Sequence, residues 1–231
     1  CHNVIKNGFT GIEMTTSGKI KDTFLVSILG TFTSYNALVA IIICDLLGIS
    51  ITNMKKSLEV VKVKGRMESV PVSSNFSVII DYAYQGIAME NVLKTVREST
   101  PNRIVTVFGC GGNRSRQRRF DCGEISGKYS DLSILTADNP RYEDNSLIIE
   151  DILVGMKKTK GKYIIIDNRK EAIKYSLVNA KPGDVVLILG KGHEDYQEIK
   201  GVRYPFDERI IINDIISELS AEEKEKLGII R

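Results

Sequence analysis

The sequence has no tryptophan, only two histidines and only four cysteines among its 231 residues. No two cysteines form a C-x-x-C pair, and the histidines lie far from metal-site spacing, so a structural zinc site is not expected. The longest apolar run, Ala37 to Cys44, is broken by Asp45 and is too short to span a membrane. The sparse use of cysteine fits a reducing compartment, so we expect a cytoplasmic protein without a membrane partner.

The sequence also lacks an excess of charge of either sign. Lys and Arg number 32 and Asp and Glu number 29, which gives a net charge of +3 with His neutral. This balance shows neither a basic arm for nucleic acid nor an acidic tail. Because 42% of the residues are hydrophobic and 26% are charged, bulk disorder is excluded. The chain starts at Cys1 with no initiator Met and no signal-peptide pattern, so we expect it to be a piece of a longer protein.

Apolar patterning predicts a small first region. Strands at Phe9 to Met14 and Thr23 to Ile28 are predicted to form a hairpin. Helices are predicted over Tyr35 to Leu47 and around Asn53 to Val60. The stretch from Lys64 to Pro71 contains Gly and Pro and lacks periodicity. We therefore place a domain boundary there, between residues 1–64 and residues 65–231.

After this boundary, predicted strands and helices alternate. The strands are Phe76–Asp81, Arg103–Phe108, Leu132–Thr136, Tyr163–Asp167 and Asp184–Leu189. Runs such as Val185 to Leu189 are continuously apolar, which indicates strands covered on both faces. The predicted fold class is therefore α/β, with a mainly parallel sheet flanked by helices. A short hairpin and a last helix follow, and the charge run from Glu222 to Lys226 is interpreted as a solvated tail.

Ligands of such sheets bind at the carboxyl ends of the strands. Four strand-end segments are rich in Gly, Asn and charged residues: Asp81–Tyr84, Gly109–Arg114, Asp138–Arg141 and Gly190–Glu194. All four are expected on one edge of the sheet. We predict the functional site at that edge.

The glycine-rich segments exclude two nucleotide-binding motifs. A dinucleotide fingerprint starting at Gly109 would need Gly at position 114, where the chain has Arg114. A Walker A loop ending at Gly192 would need Gly at position 185 and Ser or Thr at 192, and the chain has Val185 and Gly192. The glycines instead allow backbone N–H groups to approach an anion.

Arginines and a histidine add candidate binding groups to these segments. Arginines at 114, 116, 118 and 119 suggest recognition of phosphate or carboxylate, or form a basic solvated loop. Arg141 offers a bidentate fork near Asn139, which suits a carboxylate with an adjacent amine, although Asp138 to Pro140 is also ordinary turn chemistry. His193 follows a glycine turn, and a structural role is favoured over a catalytic one.

Together these motifs resemble the Mur ligases, the ATP-dependent enzymes that build the peptide of peptidoglycan. The resemblance runs from about Phe32 to Arg209 and points to the UDP-N-acetylmuramoyl-tripeptide synthetases, the branch that adds the third residue. It rests on the order and spacing of these segments: Tyr35–Leu38, Gly65–Glu68, Asp81–Ala83, Val107–Gly112, Asp138–Arg141, Pro182–Asp184 and Gly190–Gln197.

The resemblance implies an acid–amino-acid ligase that uses ATP and Mg as cofactors. In the family, ATP phosphorylates the terminal carboxylate of a UDP-muramoyl peptide, and the amine of the incoming amino acid attacks the acyl phosphate. Residues 1–64 would end the central ATP-binding domain, and residues 65–231 would form the Rossmann-like C-terminal domain. The implied partners are UDP-N-acetylmuramoyl-L-alanyl-D-glutamate, meso-diaminopimelate and the missing N-terminal and central domains. The chain alone is expected to bind no metal, to retain no catalytic residue and to be inactive.

The resemblance also implies the site residues. The Asp-Asn-Pro-Arg motif of the family marks enzymes that add meso-diaminopimelate, and the implied substrate-binding residues are Arg114, Asp138, Asn139, Arg141, Gly190 and Glu194. Arg141 would pair with the far carboxylate of diaminopimelate, which lysine lacks, and Glu194 would hold the nearby ammonium. The implied nucleotide-side residues are Asn36, Arg66, Asp81 and Tyr82. Tyr84 stands where the family usually has His.

Other functions are compatible with the same sequence. The chain could come from a lysine-adding or folylpolyglutamate-type ligase, against which Arg141 argues. It could also be a non-catalytic amino-acid-binding module, or a half-chain that complements a separate ATPase half.

Overall fold

The structure is a computed structural model that describes residues 3–6 and 11–230. It divides into two compact units, Cys1–Glu68 and Ser69–Arg231. The assignment of residues 1–64 and 65–231 to two domains of a ligase stays a prediction. No helix in the described part of the chain combines the length and apolarity that a membrane span requires.

The first unit is a small antiparallel sheet covered by two helices. Strands β1 (Asn3–Lys6), β2 (Ile12–Thr15) and β3 (Thr23–Val26) pair in that order, and helices α1 (Thr33–Leu46) and α2 (Ile51–Val60) follow. Alternate strand residues, such as Met14 and Phe24, face a core that also contains Ile41 and Met54. The predicted hairpin is confirmed, whereas Phe9 and Thr10 of its first predicted strand lie outside the described residues.

Helix α1 is apolar on a second face as well. Ala37 and Ile41 are buried in the unit's core, but a stripe at helical spacing is exposed: Tyr35, Val39, Ile42, Ile43 and Leu46. Leu46 retains 77% of its accessible surface. A helix that is apolar nearly all round is typical of the interior of a larger structure.

The second unit is built on a six-stranded sheet. It begins with strands β4 (Glu68–Val70) and β5 (Ser77–Asp81), and continues as α3 (Gly86–Ser99), β6 (Ile104–Phe108), α4 (Arg116–Tyr129), β7 (Leu132–Leu135), α5 (Asn145–Met156), β8 (Tyr163–Ile165), α6 (Arg169–Val178) and β9 (Val185–Leu189). The strand order is β4-β5-β9-β6-β7-β8, and the pairs from β5 to β8 are all parallel. The prediction of a mainly parallel sheet flanked by helices is confirmed.

The order of the strands places a switch point at β9. This last parallel strand enters between β5 and β6, so the loops after these three strands leave the sheet side by side. Both faces of the sheet are covered by helices. Helix α6 contacts β6, β7 and β9 on one face, and α4 contacts β7 on the other and packs against α3 and α5. Val186 and Ile188 of β9 join the α6 core, and Leu187 between them is equally buried. A doubly covered sheet with a switch point binds ligands at the carboxyl ends of its strands.

The chain after β9 forms a hairpin and two helices. Strands β10 (Tyr196–Ile199) and β11 (Val202–Pro205) pair antiparallel, and α7 (Glu208–Glu218) packs against α6. Three short elements were not predicted, namely β1, β4 and α8 (Ala221–Leu227). The charge run is solvent-exposed, but it is helical rather than a simple tail. Ser220 and Glu223 form a reciprocal capping box, which explains why so short a helix begins there.

Candidate functional site

The four predicted strand-end segments meet around one cavity of about 200 Å³ at the carboxyl edge of the sheet. The cavity is lined by Tyr82, Tyr84, Gly109, Gly111, Arg114, Arg118, Asp138, Asn139, Arg141, Gly190 and Glu194. All six residues predicted to bind the amino acid are among them. Their roles toward a ligand stay predictions, but the expectation that they share one edge of the sheet is confirmed.

Asn139 is the central polar group of the cavity. Its Nδ2 donates to Oε2 of Glu194 at 2.9 Å. Its Oδ1 accepts from Nζ of Lys191 at 3.0 Å and from the backbone N–H of Glu198 at 2.9 Å. The side chain is almost fully buried. Since both ends of the amide are bonded, its orientation is fixed before any ligand arrives.

Glu194 is surrounded by donors from three different segments. Besides Asn139, Nζ of Lys191 approaches Oε2 at 3.2 Å, and the hydroxyl of Tyr82 donates to Oε1 at 3.3 Å. A carboxylate has about four acceptor positions, so it can still accept from a ligand ammonium. Burial and the nearby Glu194 carboxylate raise the pKa of Tyr82, which keeps its hydroxyl a donor.

Lys191 is the main functional residue that the sequence reasoning missed. Its side chain is completely buried, and its ammonium balances the charge of Glu194. The ring of Tyr196 lies 5.5 Å from Nζ. In the sequence it belongs to an incomplete Walker A pattern and to the segment Gly190–Gln197. A lysine between two glycines at the carboxyl end of a buried strand was the available signal, because ligand-binding groups collect at that edge of a parallel sheet.

Arg141 is held from several directions. It has a positive φ of 53°, and the hairpin fixes this unusual backbone. The N–H of Arg141 donates to the carbonyl of Glu198 at 3.0 Å, and its carbonyl accepts from the N–H of Lys200 at 2.7 Å. Its guanidinium reaches the carbonyl of Gly112 through Nη1 at 2.9 Å and Oε2 of Glu198 through Nε at 3.2 Å. The predicted fork is therefore preorganised, with Glu198 as an unpredicted partner.

Asp138 and Gly190 meet at the base of the cavity. Oδ1 of Asp138 accepts the N–H of Asn139 at 2.8 Å, whereas its buried Oδ2 has no hydrogen-bond partner among the described residues. Gly190 has a φ of +114°, and a Cβ there would lie 2.8 Å from that Oδ2. Only glycine allows this approach and this backbone angle. The register of β5 and β9 brings the N–H of Gly190 to the carbonyl of Asp81 at 3.1 Å.

The arginines that follow Gly112 divide into two groups. Arg114 and Arg118 line the cavity. Arg119 is buried and binds Oδ2 of Asp151 at 3.0 Å and Oε1 of Glu143 at 2.8 Å. Arg116 binds both oxygens of Asp151 through Nε at 3.0 Å. The interpretation of the whole cluster as a ligand-binding or solvated loop is therefore wrong for Arg119, which is buried and joins α4 to α5 and its preceding loop. Arg116 joins α4 to α5 through Asp151, but its side chain stays largely exposed to solvent.

This arginine network should make stability depend on pH. Hydrogen bonds from Arg116 hold the pKa of Asp151 below its ordinary value, with Arg119 adding to the effect and burial opposing it. A lowered carboxyl pKa stabilises the fold above the unfolded-state pKa of about 3.9, and this stability is lost as the pH falls through the folded-state pKa. Asp151→Asn should thus lower the free energy of unfolding by about 2 kcal/mol at pH 7, with a difference that shrinks below about pH 4.

Urea unfolding of both proteins at a series of pH values checks this expectation. Asp214→Asn is the matched control, because Asp214 is exposed on α7 and its replacement should change stability little at any pH. A difference between wild type and Asp151→Asn that stays constant from pH 7 to pH 3 would contradict the assignment.

Two aromatic residues, Tyr82 and Tyr84, line the cavity, and His193 packs against one of them. The rings of Tyr82 and Tyr84 meet edge to face at 4.9 Å, and the imidazole of His193 lies 4.6 Å from Tyr82. The guanidinium of Arg118 lies 5.3 Å from the ring centre of Tyr84. Tyr84, the departure from the family pattern, therefore has partners of its own. His193 is exposed and packs on an aromatic ring, a contact that requires no catalytic role.

The predicted nucleotide-side residues lie in both units. Asn36 and Arg66 belong to the first unit, Asn36 on the exposed side of α1 and Arg66 in the turn before β4. Asp81 and Tyr82 belong to the second unit. Asp81 is buried at the end of β5, where Oδ1 accepts the N–H of Ala83 at 2.8 Å, and Tyr82 lines the cavity. The joint role of the four residues stays a prediction.

Thiol chemistry is not supported at this edge. Cys110 and Cys122 are both buried, and a hydrogen bond with Cys122 together with burial raises the pKa of the Cys110 thiol. A protonated, inaccessible thiol is a poor nucleophile. Across the described ranges, no three His, Cys, Asp or Glu side chains are grouped so that they could hold a metal ion.

A larger groove of about 1040 Å³ lies at the opposite edge of the sheet. Its basic residues include Lys128, Lys158, Lys160 and Lys162. Helix α4 ends at this edge with Lys128 in its last turn, where a lysine neutralises the partial negative charge of the helix C-terminus. The groove has no convergent polar network like that around Asn139, so the smaller cavity is the candidate site.

Comparisons with known proteins agree with the geometry. The family model described as "Mur ligase, glutamate ligase domain" matches residues 65–192. The UDP-N-acetylmuramoyl-L-alanyl-D-glutamate–2,6-diaminopimelate ligase of Caldanaerobacter subterraneus is 42% identical over 215 residues, 93% of this chain and 45% of the relative. The ligase of the same name from Aquifex aeolicus is 46% identical over 212 residues, 91% of this chain and 44% of the relative.

A solved structure with this ligase name is also similar. It is 31% identical, with a TM-score of 0.67 over 93% of this chain and 44% of that chain. The chain therefore spans somewhat less than half the length of the relatives that it matches.

Proposed function

The chain belongs to the Mur ligase family, and from this premise we propose that it provides the amino-acid-binding part of an ATP-dependent ligase. The ligase would add meso-diaminopimelate to UDP-N-acetylmuramoyl-L-alanyl-D-glutamate through an acyl phosphate, in the cytoplasm. Residues 1–64 would end its ATP-binding domain, and residues 65–231 would be its C-terminal domain. ATP and Mg would act in the complete enzyme, supplying and activating the phosphoryl group.

The observation that carries this proposal is the pairing of opposite charges in one small cavity. Arg141 and Glu194 both line it, and Asn139 connects them through its bonds to Glu194 and to the backbone of Glu198. The far end of diaminopimelate carries a carboxylate and an ammonium on one carbon, which are the partners that an arginine and a glutamate would bind. Arg114 and Arg118 remain for a second carboxylate.

The first unit supports the proposed domain assignment. The exposed apolar stripe of α1 is the kind of surface that a larger sheet covers, and the similar ligases are more than twice as long as the matched region. Asn36, at the polar start of this helix, and Arg66 are the proposed nucleotide-side residues of that unit.

Turnover measurements test the proposal. The chain alone should release no phosphate from ATP in the presence of UDP-muramoyl dipeptide and meso-diaminopimelate. A chimera in which the corresponding first part of the Caldanaerobacter ligase precedes this chain should release phosphate and form the tripeptide product. Turnover by the chain alone would refute its expected inactivity.

The same chimera distinguishes the alternatives. A diaminopimelate-adding enzyme should use meso-diaminopimelate in preference to L-lysine, because lysine leaves Arg141 without a carboxylate. A preference for lysine would refute the choice of substrate. A folded chimera that binds diaminopimelate without turnover would favour a non-catalytic binding module.

A further inference from the structure

A buried ion pair lies next to the cavity loops without lining the cavity. Arg169 begins α6 and Glu208 begins α7, and both side chains are completely buried. The Nε and Nη2 groups of Arg169 donate to Oε1 of Glu208 at 2.9 and 2.7 Å. The pair is therefore available for a role other than direct contact with substrate.

The remaining bonds of Arg169 lead to the two most important cavity loops. Its Nη2 donates to the carbonyl of Leu189 at 2.8 Å, and its Nη1 reaches the carbonyl of Ala137 at 3.3 Å. Leu189 directly precedes Gly190, and Ala137 directly precedes Asp138. In the sheet, β6 lies between β9 and β7, so these two strands share no ladder of hydrogen bonds. Arg169 links their ends directly.

Stability alone does not account for this pair. Two completely buried charges lose their hydration, and an apolar pair of similar volume is often as stable or more stable. Burial raises the pKa of Glu208, although Arg169 and Lys191 oppose that shift. Its Oε2 has no hydrogen-bond partner within the described residues, which adds to the cost of burial. A role in positioning is the alternative that fits the bonds to Leu189 and Ala137.

We propose that Arg169 and Glu208 are positioning residues, which fix the distance between the ends of β7 and β9. That distance decides whether Asn139, on the β7 loop, can bond Lys191 and Glu194, on the β9 loop. The pair would thereby set the affinity for the amino acid without touching it. This inference rests on the proposed function for the identity of the amino acid, but not for the geometry.

Variants of this chain test the positioning role. The variant Arg169→Met/Glu208→Leu replaces the ion pair by two apolar side chains. It should fold, but it lacks the hydrogen bonds that link the ends of β7 and β9. In Arg169→Lys, the charge opposite Glu208 is kept, but one ammonium cannot reproduce the planar fork. Both variants should bind meso-diaminopimelate about tenfold or more weakly, because small misplacements of a binding constellation have large effects. NMR titration, which detects weak binding, provides the dissociation constants.

The matched control is an ion pair at the opposite end of the same sheet. Arg103 precedes β6 and Asp184 precedes β9, and Nε of Arg103 binds both carboxylate oxygens at 3.1 Å. Arg103→Met should lower stability in urea yet leave the affinity unchanged. If Arg169 had only a structural role, its variants would behave like Arg103→Met: they would lose stability and keep their affinity for diaminopimelate.

Backbone amide resonances give a readout that does not depend on a ligand. The N–H of Asn139 donates to Asp138 and that of Gly190 donates to Asp81. Both signals should shift in the Arg169 variants and stay in place in Arg103→Met. Unshifted signals in folded Arg169→Lys, or unchanged affinity in either Arg169 variant, would overturn the positioning role. Shifted signals in a chain whose wild type binds no diaminopimelate would support positioning and refute the proposed substrate.

Discussion

An Arg141→Met variant is expected to bind meso-diaminopimelate about 100-fold more weakly, a loss of roughly 3 kcal/mol, while its affinity for L-lysine changes little. The reason is that the guanidinium is fixed before binding. Gly112 and Glu198 hold two of its nitrogens, and the hairpin holds its backbone at a φ of 53°. The ligand carboxylate therefore meets a donor whose conformational entropy is already lost.

The contrast between the two ligands makes this prediction specific. Lysine lacks the far carboxylate, so it gains nothing from Arg141 and should not lose affinity when Arg141 is replaced. Glu198→Gln provides a second measure, since it removes the negative charge beside Arg141 and should strengthen binding of diaminopimelate severalfold while leaving the fork in place. Calorimetry or NMR titration gives the dissociation constant of each ligand for each variant, and each of these four constants is compared with the wild-type value.

The control is Arg203→Met. Arg203 is an exposed hairpin arginine that lies 4.4 Å from the ring centre of Tyr196 and does not line the cavity. Its loss changes the net charge by the same amount as the loss of Arg141. Equal weakening in Arg141→Met and Arg203→Met would indicate a general charge effect. Equal weakening for lysine and diaminopimelate in Arg141→Met would contradict the assignment of Arg141 to the far carboxylate.

The location of the site could be predicted from the continuous apolar pattern of the strands and from the rule that parallel sheets bind ligands at the carboxyl ends of their strands. The apolar run Val185 to Leu189 marks a strand buried on both faces, and such strands belong to sheets that bind ligands at their carboxyl ends. The residues directly after each run could therefore be placed at one edge without knowing the strand order. The insertion of β9 between β5 and β6 could not be read from the sequence, because it depends on how the helices pack.

The partners of individual side chains were less predictable. Arg114, Arg116 and Arg119 look alike in the sequence, yet only Arg114 lines the cavity. Arg119 is buried because α4 packs against α5, which carries Asp151 some thirty residues later. Long-range pairing of this kind leaves no local signal. Similarly, Glu198 could not be predicted as a partner of Arg141. Their contact forms only because the hairpin lies along the loop that carries Arg141.

Short elements were missed for a different reason. Helix α8 has too few residues for a hydrophobic period, and its charges dominate the pattern. The Ser220 to Glu223 spacing was the available signal, since a capping box depends on two side chains rather than on a period. Strand β4 has three residues beside a glycine turn, and it is a strand only because it lies beside β5 in the sheet.

Lys191→Met is expected to lower the free energy of unfolding by about 3–5 kcal/mol and to abolish binding of diaminopimelate. Lys191 is completely buried, and its ammonium is the cation that Glu194 contacts within the cavity network. Removing it leaves Oδ1 of Asn139 with one donor fewer and leaves the largely buried Glu194 carboxylate without a counter-charge. An uncompensated charge of this kind destabilises the fold far more than a lost surface pair does.

A double variant separates the charge effect from the loss of packing. Lys191→Met/Glu194→Gln removes both charges, so it should recover a large part of the lost stability relative to Lys191→Met alone. It should still bind no diaminopimelate, since the carboxylate proposed to hold the ligand ammonium is gone. Lys128→Met is the surface control, because Lys128 pairs with Glu124 on the exposed side of α4 and its loss should change little. Urea unfolding followed by circular dichroism is measured for wild type, Lys128→Met, the double variant and both single variants, Lys191→Met and Glu194→Gln, because additivity requires each substitution alone. Additive effects of the two substitutions would show that Lys191 and Glu194 are not coupled, and the cavity would then lack the charge pair on which its preference for a zwitterion depends.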